Sequence, residues 1–267
     1  LGVSALSIVG LPRLQALARN LRPRLRIALP YLLLLGTVLV INNLTRELVP
    51  EVSWFLGVDV TGTIYGIEGA FVAWVQSFAT PALTAFLSFI YIYGYVLLLT
   101  FPLVAYLALD DMRPFKQACL AFSLNYVIGL LMYTVFIAYG PRNMLPDLVD
   151  SLMFTNWPES KLLTSEINTK TNVFPSLHTS LSVTVVLLAY YTRRAYPAWL
   201  YLSSALALCV VVSTMYLGIH WGTDVLAGAA LAVLSVGIAR TVDLVAVVQR
   251  RTQGRIAARG EALWERL

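Results

Sequence analysis

Charge is what this chain lacks first. Asp, Glu, Lys and Arg make up 12% of its 267 residues, about half the ~25% usual in soluble domains. A chain that is 58% hydrophobic and so poorly charged cannot clothe a water-facing surface. A soluble domain is therefore excluded, and a helical bundle facing lipid is expected. Cysteine is nearly absent. Cys119 and Cys209, the only two, each lie inside an apolar run, which excludes a disulfide framework and a cysteine-rich metal site. Histidine is equally rare, with His178 and His220 alone. Residues 1–26 lack the order of a secretory signal, because their basic residues follow the apolar stretch.

What the chain has is apolar runs, at roughly 27–45, 82–108, 115–139, 177–192, 198–217 and 222–239. A helix needs about 20 apolar residues to cross a bilayer. The second, third and fifth runs meet that comfortably. The fourth and sixth are short and borrow polar residues at their ends, among them His178 and His220. The expected fold is all-α, a polytopic membrane bundle of six transmembrane helices with added interfacial helices. Leu14–Arg26 reads as a basic helix lying on the membrane. The amphipathic stretch 64–78, with Trp74, reads as interfacial too. This divides the chain into a basic interfacial segment (1–26), a six-span catalytic membrane domain (27–248) and a basic cytoplasmic tail (249–267).

The net charge of +5 would suit nucleic acid, but its distribution points to a membrane instead. With the N-terminus inside, fifteen of the nineteen Lys and Arg fall on the inner side, from Arg13 to Arg26, at Arg113, Lys116, Arg193 and Arg194, and from Arg240 onward. Only Arg46, Arg142, Lys161 and Lys170 fall outside. Excess Lys and Arg mark cytoplasmic loops. Both termini are therefore expected in the cytoplasm of a multi-pass cell-membrane protein, with no nucleic-acid partner. The same count brings His178 and His220, 42 residues apart in sequence, to one level at the extracytoplasmic surface.

His220 and Asp224 stand four residues apart in Ile219-His220-Trp221-Gly222-Thr223-Asp224. If a helix opens at Gly222–Thr223, the two lie about one turn apart. An aspartate so placed accepts the imidazole Nδ1–H, fixes the tautomer and leaves Nε2 free as base or nucleophile. His178 follows Pro175-Ser176, a helix-start signature that aims backbone N–H groups at an anion. Arg142, in Tyr139-Gly140-Pro141-Arg142-Asn143, ends the third run with a planar guanidinium suited to phosphate oxygens. A nucleophile with its orienter, a second titratable group and anion donors are what phosphoryl transfer through a phosphohistidine requires.

These segments resemble the type-2 phosphatidic acid phosphatase superfamily, whose motifs run KxxxxxxRP, PSGH and SRxxxxxHxxxD. Here the second reads Pro175-Ser176-Leu177-His178, with leucine for glycine. The third reads Ser213-Thr214, five residues, His220 and then Asp224, with threonine for arginine. The first is reduced to Gly140-Pro141-Arg142, with Val135 where the lysine would stand. These departures resemble the branch containing fungal inositol phosphorylceramide synthases. The resemblance covers roughly residues 80–240. It implies that His220 attacks phosphorus, Asp224 orients it and His178 protonates the departing alkoxide. Arg142, the backbone around Ser176, and Lys170 in place of the missing lysine would bind the phosphate. It implies no metal and no cofactor, a lipid phosphate substrate, and either water or a second alcohol as acceptor.

Bland readings stand beside these. Ser176 could be a plain helix cap, Arg142 a snorkelling anchor, and the two histidines packing residues. Two histidines and an aspartate could hold zinc, though no HExxH helix accompanies them. Tyr91, Tyr93 and Tyr95 read as an interfacial aromatic belt, together with Trp54, Trp74, Trp157 and Trp221. The long 140–176 segment reads as a lid that helps choose the head group. The rival from another class is a proton-coupled transporter or lipid-binding membrane protein. Against it, the runs are almost free of charge at their centres, where transporters place ionisable residues.

Overall fold

The computed structural model describes residues 1–45, 48–156 and 173–242. Lys170, Arg46, Lys161, Trp157 and the expected tail at 249–267 lie outside the described residues. After a helical lead (Gly2–Ser4, Ala5–Val9), the chain forms α1 (Leu11–Arg19), α2 (Leu21–Thr45), α3 (Leu48–Leu56), β1 (Val58–Asp59), α4 (Thr61–Glu68) and α5 (Phe71–Gln76). It continues with α6 (Pro81–Leu107), α7 (Arg113–Val135), β2 (Phe136–Ile137), α8 (Pro141–Met144) and α9 (Leu152–Asn156). The last helices are α10 (Leu177–Tyr191), α11 (Pro197–Tyr216) and α12 (Gly222–Thr241).

Five of these, α2, α6, α7, α11 and α12, are long and apolar enough to cross a membrane. Leu33, Phe86, Leu131, Leu208 and Leu226 point outward from them into the surroundings, a waste of apolar area in water but not in lipid. The protein is a multi-pass membrane protein. The fourth run forms α10, whose 15 residues span only about 22 Å at 1.5 Å per residue. It is packed against α6, α7, α11 and α12. Largely shielded from lipid, it has less need of lipid-spanning length.

Sequence signals start the helices where they begin. Thr80 Oγ1 accepts the Leu83 N–H at 3.2 Å ahead of α6, and proline occupies the first turns of α6, α7 and α11. The run read as 115–139 ends as helix at Val135. Phe136 and Ile137 instead pair in parallel with Val58 and Asp59. Leu14–Arg26 is not one helix either. It breaks at Asn20, and Arg22, Arg24 and Arg26 ride on the first turns of α2. The 64–78 stretch breaks at Gly69, where φ is +56°.

α6, α10 and α12 run in one direction and α7 and α11 in the other. Tyr91 and Tyr95 near the start of α6 meet His178 at the start of α10. At the far end Tyr106 meets Thr192, whose hydroxyl donates to it at 3.1 Å. The basic residues collect at that far end. Arg24 donates to the Leu107 and Leu109 carbonyls and pairs with Asp110. Arg13 donates to the Ala195 carbonyl at 3.1 Å, and Arg240 lies over Tyr191. The core between the two ends is built on the Phe101–Trp199 ring pair, 4.2 Å between centroids, with Leu98, Leu181 and Val185.

Candidate active site

α12 opens with Trp221 at its N-cap and Asp224 in its first turn. The turn leading there bends at Gly218, with φ +70°. The Ile219 and His220 N–H groups both donate to the Thr214 carbonyl at 3.0 Å. Asp224 Oδ2 accepts the Trp221 N–H at 2.8 Å and faces His220 Nδ1 at 3.4 Å. Asp224 is fully enclosed and His220 only 4% exposed, so this pair interacts in a medium where charge–dipole contacts are stronger than in water. The expected one-turn spacing of the pair is present.

α10 opens at Ser176, whose Oγ accepts the Thr179 N–H at 3.3 Å. The Ser176 N–H donates to the Asp224 carbonyl at 3.0 Å, and that bond joins the starts of α10 and α12. Gly228 permits the approach. A Cβ there would stand 2.4 Å from the Ser176 carbonyl oxygen. The result brings the His178 and His220 rings to 6.4 Å between centroids. Ser176 Oγ thus caps α10 as an acceptor, while its N–H joins α10 to α12.

Tyr91 and Tyr95 flank His178, with centroids at 4.5 Å and 4.4 Å and interplanar angles of 23° and 38°. This corrects the aromatic-belt reading. Tyr91 is buried and only Tyr93 is exposed. In a helix 91 and 95 share a face while 93 points away. Trp221 leaves the belt as well, being fully buried with its indole N–H donating to the Tyr139 carbonyl at 2.8 Å. Trp54 and Trp74 are exposed, as a belt requires.

Arg142 is the second residue of the short helix α8, with its N–H on the Gly218 carbonyl at 3.1 Å. Its guanidinium stacks over Phe154 at 5.0 Å. Nη1 is buried with no hydrogen-bond partner among the described residues. Burial lowers the Arg142 pKa from the ordinary arginine value, and the nearby Tyr91 hydroxyl opposes that shift. The other described Lys and Arg residues sit in the N-terminal helices or at the basic end of the bundle, so Arg142 supplies the cation at this end. At the positions of the two other cations in the motifs that the chain resembles, the described residues are uncharged. Val135 is exposed, and Thr214 is buried with its hydroxyl turned back to the Val211 carbonyl. Among the described residues no three His, Cys, Asp or Glu side chains gather as a metal-binding set.

Sequence reasoning missed the platform beneath the site. The Val60 N–H donates to the Ile137 carbonyl at 2.9 Å, and Thr61 Oγ1 accepts the Tyr139 N–H at 3.0 Å. Tyr65 packs on Trp221 at 6.2 Å. Glu68 accepts the N–H groups of Gly222 (2.8 Å) and Thr223. An acidic residue near an interfacial helix was the only available hint.

Comparison with known proteins agrees with this arrangement. Residues 63–238 match the model of the PAP2 superfamily. Over 118 residues the chain is 33% identical to the bacitracin transport permease protein BcrC of Bacillus licheniformis. That match takes in 44% of this chain and 50% of the relative, so the chain spans about half the length of that protein. The crystal structure of Aquifex aeolicus LpxE shares the fold at TM-score 0.52 and 20% identity, over 66% of this chain and 96% of that one. With a paired His220 and Asp224, a facing His178 and a family match over well over half its length, the chain belongs to the PAP2 superfamily.

Proposed function

We propose that this membrane protein of the PAP2 superfamily hydrolyses a lipid phosphate ester through a phosphohistidine formed on His220. The observation that carries the reading is the spacing of the two imidazoles. At 6.4 Å between ring centroids, the two imidazoles are near enough for one phosphate ester to contact both, with His220 toward phosphorus and His178 toward the leaving oxygen. His220 Nε2 attacks phosphorus and the P–O ester bond breaks. The alkoxide takes the proton held by His178. Neutral again, His178 takes a proton from water, whose oxygen attacks the phosphohistidine and releases phosphate. Asp224 holds the Nδ1–H of His220 throughout, and Arg142 balances charge on the phosphate oxygens.

The reading includes topology. Basic side chains gather at one end of the bundle and the two histidines lie at the other. With α10 read as a sixth span, the positive-inside rule then favours both termini in the cytoplasm and the site on the extracytoplasmic face. Transfer to a second alcohol, such as an inositol phosphate head group passed to a lipid, is a second reading. Pro175-Ser176-Leu177-His178 and Ser213-Thr214-Met215-Tyr216-Leu217 favour it. A transport role is the third, favoured by the name of the Bacillus relative and opposed by spans that carry charge only near their ends.

Detergent-purified protein incubated with labelled lipid phosphates, with and without inositol, separates these outcomes. Free phosphate lost in His220→Ala, with an acid-labile phosphoenzyme trapped in the wild type, is the expected result. A labelled lipid–inositol phosphate product would shift the reading to transfer. No turnover across the panel would move it to transport.

A further inference from the structure

Two helix N-termini meet at the site, and they are treated differently. At α10 the capping comes from Ser176, a neutral hydroxyl. At α12 two carboxylates divide the first-turn donors. Asp224 takes the Trp221 N–H, and Glu68, 154 residues earlier in the chain, takes those of Gly222 and Thr223. Asp224 Oδ1 is left buried with no hydrogen-bond partner. It is the natural acceptor for any first-turn N–H that loses its own.

We propose that Glu68 is a positioning residue for the His220–Asp224 pair. By saturating the Gly222 and Thr223 N–H groups, it keeps the Asp224 carboxylate turned to Trp221 and His220. Without Glu68, the two N–H donors of this half-buried helix start would compete for Asp224, because a donor left without a partner away from water is costly. Rotation of that carboxylate by a fraction of an ångström would lengthen the 3.4 Å contact to His220 Nδ1 and free the imidazole to change tautomer. Glu68 is fitted for this task because α4 is itself fixed. Asp59 Oδ1 accepts the Thr61 N–H at 2.9 Å at the head of the helix, and Tyr65 packs on Trp221. The contact leaves little slack, since a Cβ on Gly222 would stand 3.3 Å from Glu68 Oε2.

The inference rests on the phosphohistidine reading for its kinetic part only. Its test uses the fact that the chain holds just two histidines. In a His178→Gln background with 15N-labelled histidine, His220 gives the only imidazole signal, and its nitrogen shifts report the tautomer in detergent. The Nδ1–H form should dominate with Glu68 present and lose that dominance in Glu68→Ala and Glu68→Gln. With His178 restored, the same two variants should lose roughly 10- to 100-fold in kcat with KM within about twofold, while Glu68→Asp recovers part of the loss. A tautomer shift supports the proposal even if no lipid phosphate is turned over, an outcome that would overturn only the functional reading. An unchanged tautomer in folded Glu68→Ala protein, judged by its thermal unfolding, overturns the proposal.

Discussion

Gly228→Ala should be among the most damaging single-methyl changes in the protein. The added Cβ would stand 2.4 Å from the Ser176 carbonyl oxygen and 3.2 Å from Thr179 Cβ. Carbon–oxygen contacts between packed helices lie near 3.3–3.6 Å, so α12 must move from α10 by about 1 Å. The obstacle is backbone, not the end of a flexible side chain, and cannot swing aside. Such overpacking costs about 1–3 kcal/mol. The displacement falls on the joint that holds Ser176 N–H to the Asp224 carbonyl at 3.0 Å, and therefore on the distance between His178 and His220. A misplacement of about 1 Å can cost ~100-fold in rate. Phosphate release from a lipid phosphate, measured alongside thermal unfolding in detergent, should show kcat/KM down by roughly that factor with a modest fall in stability. Gly237→Ala, on the same helix with nothing within 4 Å of its new Cβ, is the control. It should be neutral or stabilising by up to ~1 kcal/mol through helix propensity. Equal activity of the two variants would refute the argument that helix approach sets the site.

Three further outcomes are expected. Asp224→Asn keeps one oxygen for the Trp221 N–H and the His220 Nδ1–H, which share Oδ2, but it removes the negative charge that steadies positive charge on the attacking imidazole and should lower kcat by at least about 10²-fold. Retention of a trapped phosphoenzyme at wild-type rate would count against it. Arg142→Lys keeps a charge but loses the planar fork stacked on Phe154, and should cost about 10²- to 10³-fold in kcat. Trp221→Phe strands the Tyr139 carbonyl, which now receives the indole N–H at 2.8 Å. Thermal unfolding in detergent should register a loss of about 1–3 kcal/mol.

The His220–Asp224 pair was legible because its signals are local. Helix-start residues, i to i+4 spacing and the order of apolar runs place Ser176, His178, His220 and Asp224 without knowledge of any distant contact. What escaped depends on distant partners. Phe136-Ile137-Ala138-Tyr139 reads as more helix, because a two-residue parallel ladder leaves no alternation to detect. Tyr91 and Tyr95 carry the composition of an interface belt, and only packing against His178 shows the other use. Trp221 has the same double meaning until its indole finds a carbonyl 82 residues away in sequence. Glu68 was hidden because capping is normally sought within a few residues of a helix start, and here the carboxylate comes from 154 residues upstream.

The bond from Ser176 to the Asp224 carbonyl also bears on how the protein is made. His178 enters the membrane with α10, but its counterpart arrives only with α12, the last of the described helices. Until that helix is threaded and seated, the start of α10 has no partner for the Ser176 N–H, and the Gly222 and Thr223 donors that Glu68 awaits do not exist. A chain halted before α12 would thus hold His178 without His220. Under the proposed mechanism, phosphoryl transfer could begin only once α12 is seated beside α10.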